Sequence, residues 1–412
     1  VHHANLGGER LQPTQRHGAI TLVVLAAACS SGDGARGAFT TRDSAGIAIV
    51  TSTRAEWTDS TAWQVAAEPM VDIGSVEGDP ERELFRVAGA VRTPEGIAVA
   101  NAGTGEIRFY ADDGTLLRRV GGRGEGPGEF ASLTGLWLFR RDSLLAWDER
   151  LRRWSVHSLT GDFARVILPE RSGLNPTSLP PLDDGSLVLQ DLWLDVPDEQ
   201  RRTQYHHYTH VSSDGRFLDS LPRLPAFDAI PVEGLRIFAP IFAARSAATA
   251  SGDGIWWGRG DAYAVDEYAA DGALLRRVRW QGPERSVTSD HIAAYKESET
   301  ETIRDENRRR EFAAALETLP VETAFPAFVF MLRDRTSHLW LFGSEPPGDP
   351  QPSWSWTVLA PDGRWLGPVA MPRSMLPFDI GEDFVVGSAF DIDDVEHVRV
   401  YRLDRRSGGS PR

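Results

Sequence analysis

Three histidines fall within Tyr205-His206-His207-Tyr208-Thr209-His210. On a helix, His206 and His210 would share a face and could hold Zn²⁺. On a strand the same two stand about 13 Å apart along the chain and cannot share an ion. Asp391-Ile392-Asp393-Asp394 supplies carboxylates for Ca²⁺, but it lacks the Gly and the distal Glu of an EF-hand loop. A solvated acidic hairpin is the plainer reading. Arg259-Gly260-Asp261 spells an adhesion tripeptide, which is also ordinary turn chemistry. The chain has no Gly-x-Ser-x-Gly elbow, no phosphate-binding glycine loop followed by Lys and Ser/Thr, and no His-Glu-x-x-His. No motif demands a cofactor, so only Ca²⁺ or Zn²⁺ stays open, and the sequence leaves open whether the protein is an enzyme.

Which of these readings holds depends on the element that carries each group, and a repeat decides that. An apolar strand, a polar hairpin, a second strand, an Asp-Gly turn and a third strand recur along the chain. The opening strands start near Ile97, Leu144, Leu187, Ile255, Leu339 and Phe384. The turns sit at Asp113-Gly114, Thr160-Gly161, Asp214-Gly215, Asp271-Gly272 and Asp362-Gly363. Glycine suits tight turns because positive φ costs it nothing. Short antiparallel units of this size bury their apolar faces only by stacking in a ring or array. The expected fold is therefore all-β, a six-bladed β-propeller. The sixth copy ends at Val398-Arg399-Val400-Tyr401 without an outer strand. Residues 63–73 are expected to supply it, closing the ring and removing free sheet edges.

The run Gly121-Gly122-Arg123-Gly124-Glu125-Gly126-Pro127-Gly128-Glu129-Phe130 resembles the inter-blade linker of NHL-repeat propellers. Residues 46–403 are similar to bacterial six-bladed β-propeller lipoproteins. Some NHL-like propellers are metal-dependent lyases with histidines from several blades, which the resemblance transfers to His157, His206 and His397 as weak metal candidates. Propellers host binding modules and enzymes alike, so the likeness speaks to fold rather than activity.

Propeller topology names a site face. The hairpins between second and third strands gather with the blade linkers around one channel mouth. Here these are 101–106, 123–129, 148–153, 191–204, 258–264, 344–353 and 388–396. They carry the ligand-binding candidates Arg123, Asp148, Arg152, Trp193, Arg259, Asp261 and Asp391, a default site by concavity and polar convergence. No catalytic residue is named by the sequence. The leading expectation is a binding or scaffolding module for a protein, peptide or glycan. The runner-up is a hydrolase or lyase at the same mouth.

Residues 1–28 read as a lipoprotein signal peptide. Arg10 and Arg16 precede an uncharged, mostly apolar run that ends in Leu25-Ala26-Ala27-Ala28-Cys29-Ser30, which looks like a lipobox. Cys29 is the one cysteine of the chain and the expected lipid attachment site, so no disulfide contributes. The expected address is extracytoplasmic, anchored to a membrane through lipid (periplasm, outer membrane or cell surface). Residues 29–45 read as a flexible tether, 46–403 as the propeller and 404–412 as a disordered tail. Residues 1–28 carry a net +1, so the remainder stands at −16 against −15 for the whole chain. Such a negative field disfavours nucleic acid. A monomer is expected. The 13 Trp suit blade-to-blade packing, and Trp137, Trp147, Trp256, Trp340 and Trp356 fall within strands. Residues 286–319 lose β alternation and read as a helical insertion between blades four and five, with apolar ends and a charged middle.

Overall fold

The computed structural model describes residues 38–405, apart from 59, 76–77, 194–201, 233–234, 349–350 and 374. From Ala38 on, the chain forms one compact unit. Three strands precede the blades: β1 (Phe39–Ser44), β2 (Ile47–Ser52) and β3 (Gln64–Ile73). Blade one holds β4 (Val87–Thr93), β5 (Gly96–Asn101), β6 (Glu106–Tyr110) and β7 (Leu116–Gly121). Blade two follows with β8 (Leu133–Phe139), β9 (Ser143–Asp148), β10 (Arg153–Ser158) and β11 (Phe163–Ile167). Blade three has β12 (Pro176–Ser178), β13 (Leu187–Trp193), β14 (Arg202–Val211) and β15 (Phe217–Ser220), plus an arm of β16 (Leu224–Val232) and β17 (Leu235–Phe238). Blade four comprises β18 (Ala247–Ala250), β19 (Gly254–Gly258), β20 (Ala264–Ala269) and β21 (Leu274–Trp280). Helices α1 (Ser289–Glu301) and α2 (Glu306–Thr318) come next. Blade five is β22 (Phe330–Arg333), β23 (Leu339–Phe342), β24 (Ser353–Leu359) and β25 (Trp365–Pro372). Blade six is β26 (Leu376–Ile380), β27 (Phe384–Phe390) and β28 (Glu396–Asp404), completed by β3.

This is the six-bladed propeller that the repeat requires. Strand β3 runs antiparallel to β28, with Val398 opposite Ile73, so the N-terminal strand closes the ring. Val71 and Ile73 bury against Val386, Val398 and Val400 and reach Ile97 and Val99 of blade one. Among the tryptophans, Trp147, Trp256, Trp340 and Trp356 are buried within the sheets.

Each Asp-Gly-type turn does two jobs. Gly114, Gly161, Gly215, Gly272 and Gly363 all have φ between +81° and +96°. Each also rests on the outer part of the preceding blade. A Cβ on Gly215 would lie 2.0 Å from Leu168 O, on Gly363 2.6 Å from Val278, and on Gly272 2.7 Å from Pro222. Only at Gly114 is the nearest atom a comfortable 3.7 Å away. The turn glycines therefore set blade spacing as well as hairpin geometry.

Three features depart from the sequence reading. Every blade has a further, innermost strand (β4, β8, β12, β18, β22 or β26) ahead of the three read as the repeat. The tether expected over 29–45 is a strand from Phe39: β1 pairs with β2, and β2 adds parallel to β21 as an outer extension of blade four. The helical insertion is two helices rather than one, α1 capped by Thr288 and α2 by Asp305. It lies between blades four and five as expected. Leu316 and Leu319 pack on Ile241, with Ile230 of the blade-three arm, Phe242, Tyr295, Phe312 and Val321 around them. Residues 1–28, read as a signal peptide, Cys29 and the tail beyond residue 405 lie outside the described residues.

Candidate functional site

The two ends of the channel differ in chemistry. At the end where first and second strands join, arginines bridge non-neighbouring blades. Arg333 of blade five grips Asp183 of blade three with a two-pronged fork, at 2.8 and 2.9 Å. Arg335 binds Asp379 of blade six at 2.8 and 2.6 Å and donates to the carbonyl of Arg92 in blade one at 2.6 Å. Arg92 N also donates to Asp379. The Arg333 side chain holds the Asp183 carboxyl below its ordinary range. Burial pushes Asp379 up, against the pull of Arg335. Forked guanidinium–carboxylate pairs set these charges on one another, which ties the blades together.

Next to this end, Asp334 is the most heavily used carboxylate. It accepts from Trp340 Nε1 at 2.9 Å, from His338 N at 2.8 Å and from Arg405 Nη2 at 2.8 Å. The Arg405 guanidinium also lies 4.2 Å over the Trp63 ring. Burial raises the Asp334 pKa, but these hydrogen bonds and Arg405 outweigh it and bring it from 3.8 to about 2. Beside Arg405, a groove of about 490 Å³ between Met70, Glu382, Asp383 and Arg402 is lined mainly by charge.

The opposite mouth is the face that the sequence reading selected, and its charged candidates are mostly spent. Asp148 is buried and accepts from the backbone of Ala131 at 2.6 Å, Ser132 at 3.2 Å and Leu151 at 2.8 Å, pinning the β9–β10 hairpin. Asp391 does the same for the β27–β28 hairpin, accepting from Asp393 N and Val395 N at 2.9 Å. Arg259 pairs with Asp228 of the blade-three arm, while Asp261 stands 3.7 Å from its Nε. That pairing ties down the would-be adhesion tripeptide. Arg123 donates to the carbonyl of Gly103 at 2.5 Å and Arg152 to that of Gly173 at 3.4 Å, and both stay exposed.

Beside these charges the face also leaves apolar side chains open. Trp193 is 56% exposed, its ring 5.4 Å from His207, and Leu192 beside it is 41% exposed. Leu174 and Phe85 in the blade linkers and Phe390 and Ile392 in the β27–β28 hairpin are likewise exposed. Val329 and Leu376, at the starts of two innermost strands, complete the set. The remaining exposed large apolar residues lie at strands or strand ends on the rim, such as Leu117, Phe163 and Leu218. Sequence reasoning found Trp193 and missed the others, because an isolated Phe or Ile in a hairpin carries no periodicity.

The three histidines do not converge. His157 lies at the turn end of β10, buried between Phe130 and Phe163, with Nδ1 3.2 Å from Gly161 O. Burial lowers its pKa. His397 lies at the other end of its blade, where Nδ1 is 2.6 Å from Asp72 and Nε2 is 3.3 Å from Asp391. His206 faces Ser246 and Gln190. Since His157 and His397 sit at opposite ends of their third strands, one ion cannot reach both. Among the described residues, no three His, Cys, Asp or Glu side chains gather in a way that could hold a metal ion. No helix among them is long and apolar enough to cross a membrane.

No protein-family model and no curated protein matches the chain. Solved structures share its shape at low identity. A member of the DUF4221 family from Bacteroides vulgatus is 10% identical with a TM-score of 0.47, covering 84% of this chain and 99% of its own. A candidate exported protein from Bacteroides fragilis is 9% identical at 0.46, over 87% and 100% of the two chains. The virginiamycin B lyase from Staphylococcus aureus is 8% identical at 0.39, over 83% and 99%. Likeness at this level carries nothing about activity.

Proposed function

We propose that this propeller is an extracytoplasmic binding module, lipid-anchored through Cys29, that takes a protein or peptide segment bearing apolar side chains at the mouth framed by Trp193, Phe390 and Ile392. The observation that carries the reading is the contrast between the two mouths. One end is bridged by forked ion pairs, while the other has Asp148 and Asp391 spent on hairpins and a set of apolar side chains in water. Exposed apolar groups gathered on one concave face mark interaction sites, because covering them releases ordered water. The net charge of −15 argues against nucleic acid as the partner.

Peptide display against the full-length protein tests the binding face. Selected peptides should be rich in aliphatic and aromatic residues. They should lose affinity at least ~10-fold on a Trp193→Ser, Ile392→Ser double variant, as expected when two interface anchors are removed. Equal binding to the variant and the parent would sink the assignment. Both side chains are exposed, so the variant should unfold at the same urea concentration as the parent. For the anchor, cells fed radiolabelled palmitate should yield labelled protein that Cys29→Ser abolishes. Label that survives in the serine variant would rule the anchor out.

A further inference from the structure

Strands β13 and β14 turn one face toward blade four. Val188 and Tyr208 on that face pack with Ala250 and Ile255 of blade four. Side chains alternate along a strand, so Gln190 and His206 share this face, and His206 lies nearer the upper hairpin. Ser246 immediately precedes β18, the innermost strand of blade four, and its N–H is fixed by Ala226 O at 2.8 Å. These three side chains form a chain. Ser246 Oγ is 3.0 Å from His206 Nδ1, and His206 Nε2 is 3.3 Å from Gln190 Nε2. In the same inter-blade layer, Tyr208 Oη and Trp257 Nε1 are buried with no hydrogen-bond partner. A buried polar atom left unpaired is costly, and here two of them lie in the same layer as a Ser–His contact, with the Tyr208 ring 6.1 Å from that of His206.

We propose that Ser246 and His206 form a nucleophile–base pair for acyl transfer, oriented by Gln190, acting on a carboxylic ester whose small apolar acyl group enters between blades three and four. This does not rest on the binding reading, since neither Ser246 nor His206 belongs to the exposed apolar set. Gln190 stands with its amide nitrogen toward the ring, and a half-turn of the amide puts Oε1 there instead. With Gln190 Oε1 accepting from Nε2–H, the Nδ1 lone pair faces the Ser246 hydroxyl. His206 takes the hydroxyl proton as Oγ bonds to the ester carbon, and the carbonyl pair moves to oxygen. When the carbonyl re-forms, the C–O bond to the alcohol breaks and the alcohol leaves with the proton that His206 held. Water then repeats both steps on the acyl-serine, releasing acid and restoring the hydroxyl. Ala248, Leu192 and Trp257 are the apolar neighbours that an acyl chain would meet. Burial, with His207 beside it, brings the His206 pKa from 6.5 to about 4, so the ring is uncharged at neutral pH.

A fluorophosphonate probe on the full-length protein, followed by peptide mass spectrometry, tests this. Ser246 should be phosphonylated in the parent and unlabelled in Ser246→Ala. The rate should fall about 100-fold in His206→Ala, as for loss of a general base. In the parent the rate should decline as pH falls through about 4, where His206 takes up its proton. His206→Gln retains a hydrogen-bonding side chain should the alanine variant fold poorly, and it should be equally slow. As a positioning residue, Gln190→Ala should move the midpoint of that pH profile, while Gln190→Asn moves it less. An unlabelled Ser246 in folded parent protein overturns the proposal. So does labelling that neither His206 variant slows.

Discussion

Asp334→Asn should lower the unfolding free energy by ~3 kcal/mol at neutral pH, because removing one partner of a buried ion pair leaves the other uncompensated. The stranded partner is Arg405, whose guanidinium also binds Gly381 O at 2.6 Å and covers Trp63. Urea unfolding at pH 7, followed by tryptophan fluorescence, measures the loss. The same carboxylate predicts an acid response with a definite sign. Its pKa in the fold is about 2, below the ordinary 3.8, so folding favours the charged form. Its stabilisation is complete above the ordinary value and disappears as pH falls through about 2. By linkage the swing is about 2 kcal/mol. Comparing parent and Asp334→Asn between pH 5 and pH 2 isolates it: the gap should narrow as pH falls. A constant gap would show that Asp334 does not titrate in that window.

Gly215→Ala should cost ~3 kcal/mol, from a left-handed φ worth ~1 kcal/mol or more and a backbone clash of similar or larger size. The new methyl would meet Leu168 O at 2.0 Å, and a backbone oxygen in the preceding blade cannot swing aside. Gly114→Ala is the control. It has φ +81° against +90°, but nothing lies nearer than 3.7 Å, so only the conformational part, ~1 kcal/mol, should appear. Urea midpoints of the two variants decide it. If both lose the same amount, the turn glycines serve the hairpin alone and blade spacing is set elsewhere.

The fold was legible because those turns announce themselves. Five glycines stand at matched places between apolar strands, and the sixth copy lacks an outer strand that residues 63–73 can supply. The innermost strands were hidden for a physical reason. Near the axis the backbones crowd, so two of these strands use small residues: Ala247, Ala248 and Ala250 in β18, and Gly89 in β4, where a Cβ would lie 3.0 Å from Leu136 N. In those two, without bulky side chains, there is no alternation to read. Strand β1 escaped because all six of its residues are exposed, which leaves no apolar face at all.

The candidate site was legible only as a face. Topology selected one rim of hairpins, yet an aspartate that caps a turn and one that meets a ligand look alike in a sequence. Asp148 and Asp391 proved to be the former. The Ser246–His206 contact joins residues from different blades, 40 positions apart, and no local pattern marks it.

The ring is sealed by its earliest strands and its latest. Ile73 pairs with Val398, and β2, from the first 52 residues, waits for β21, which begins at Leu274. During synthesis the N-terminal strands therefore emerge hundreds of residues before their partners exist. Pairing over such separations is slow, because loop closure must be completed before any contact rewards it. Until the last strand arrives, β3 and the edges of blades four and six are unpaired templates. A chain in that condition exposes those edges to pairing with other chains until residue 404 has been made.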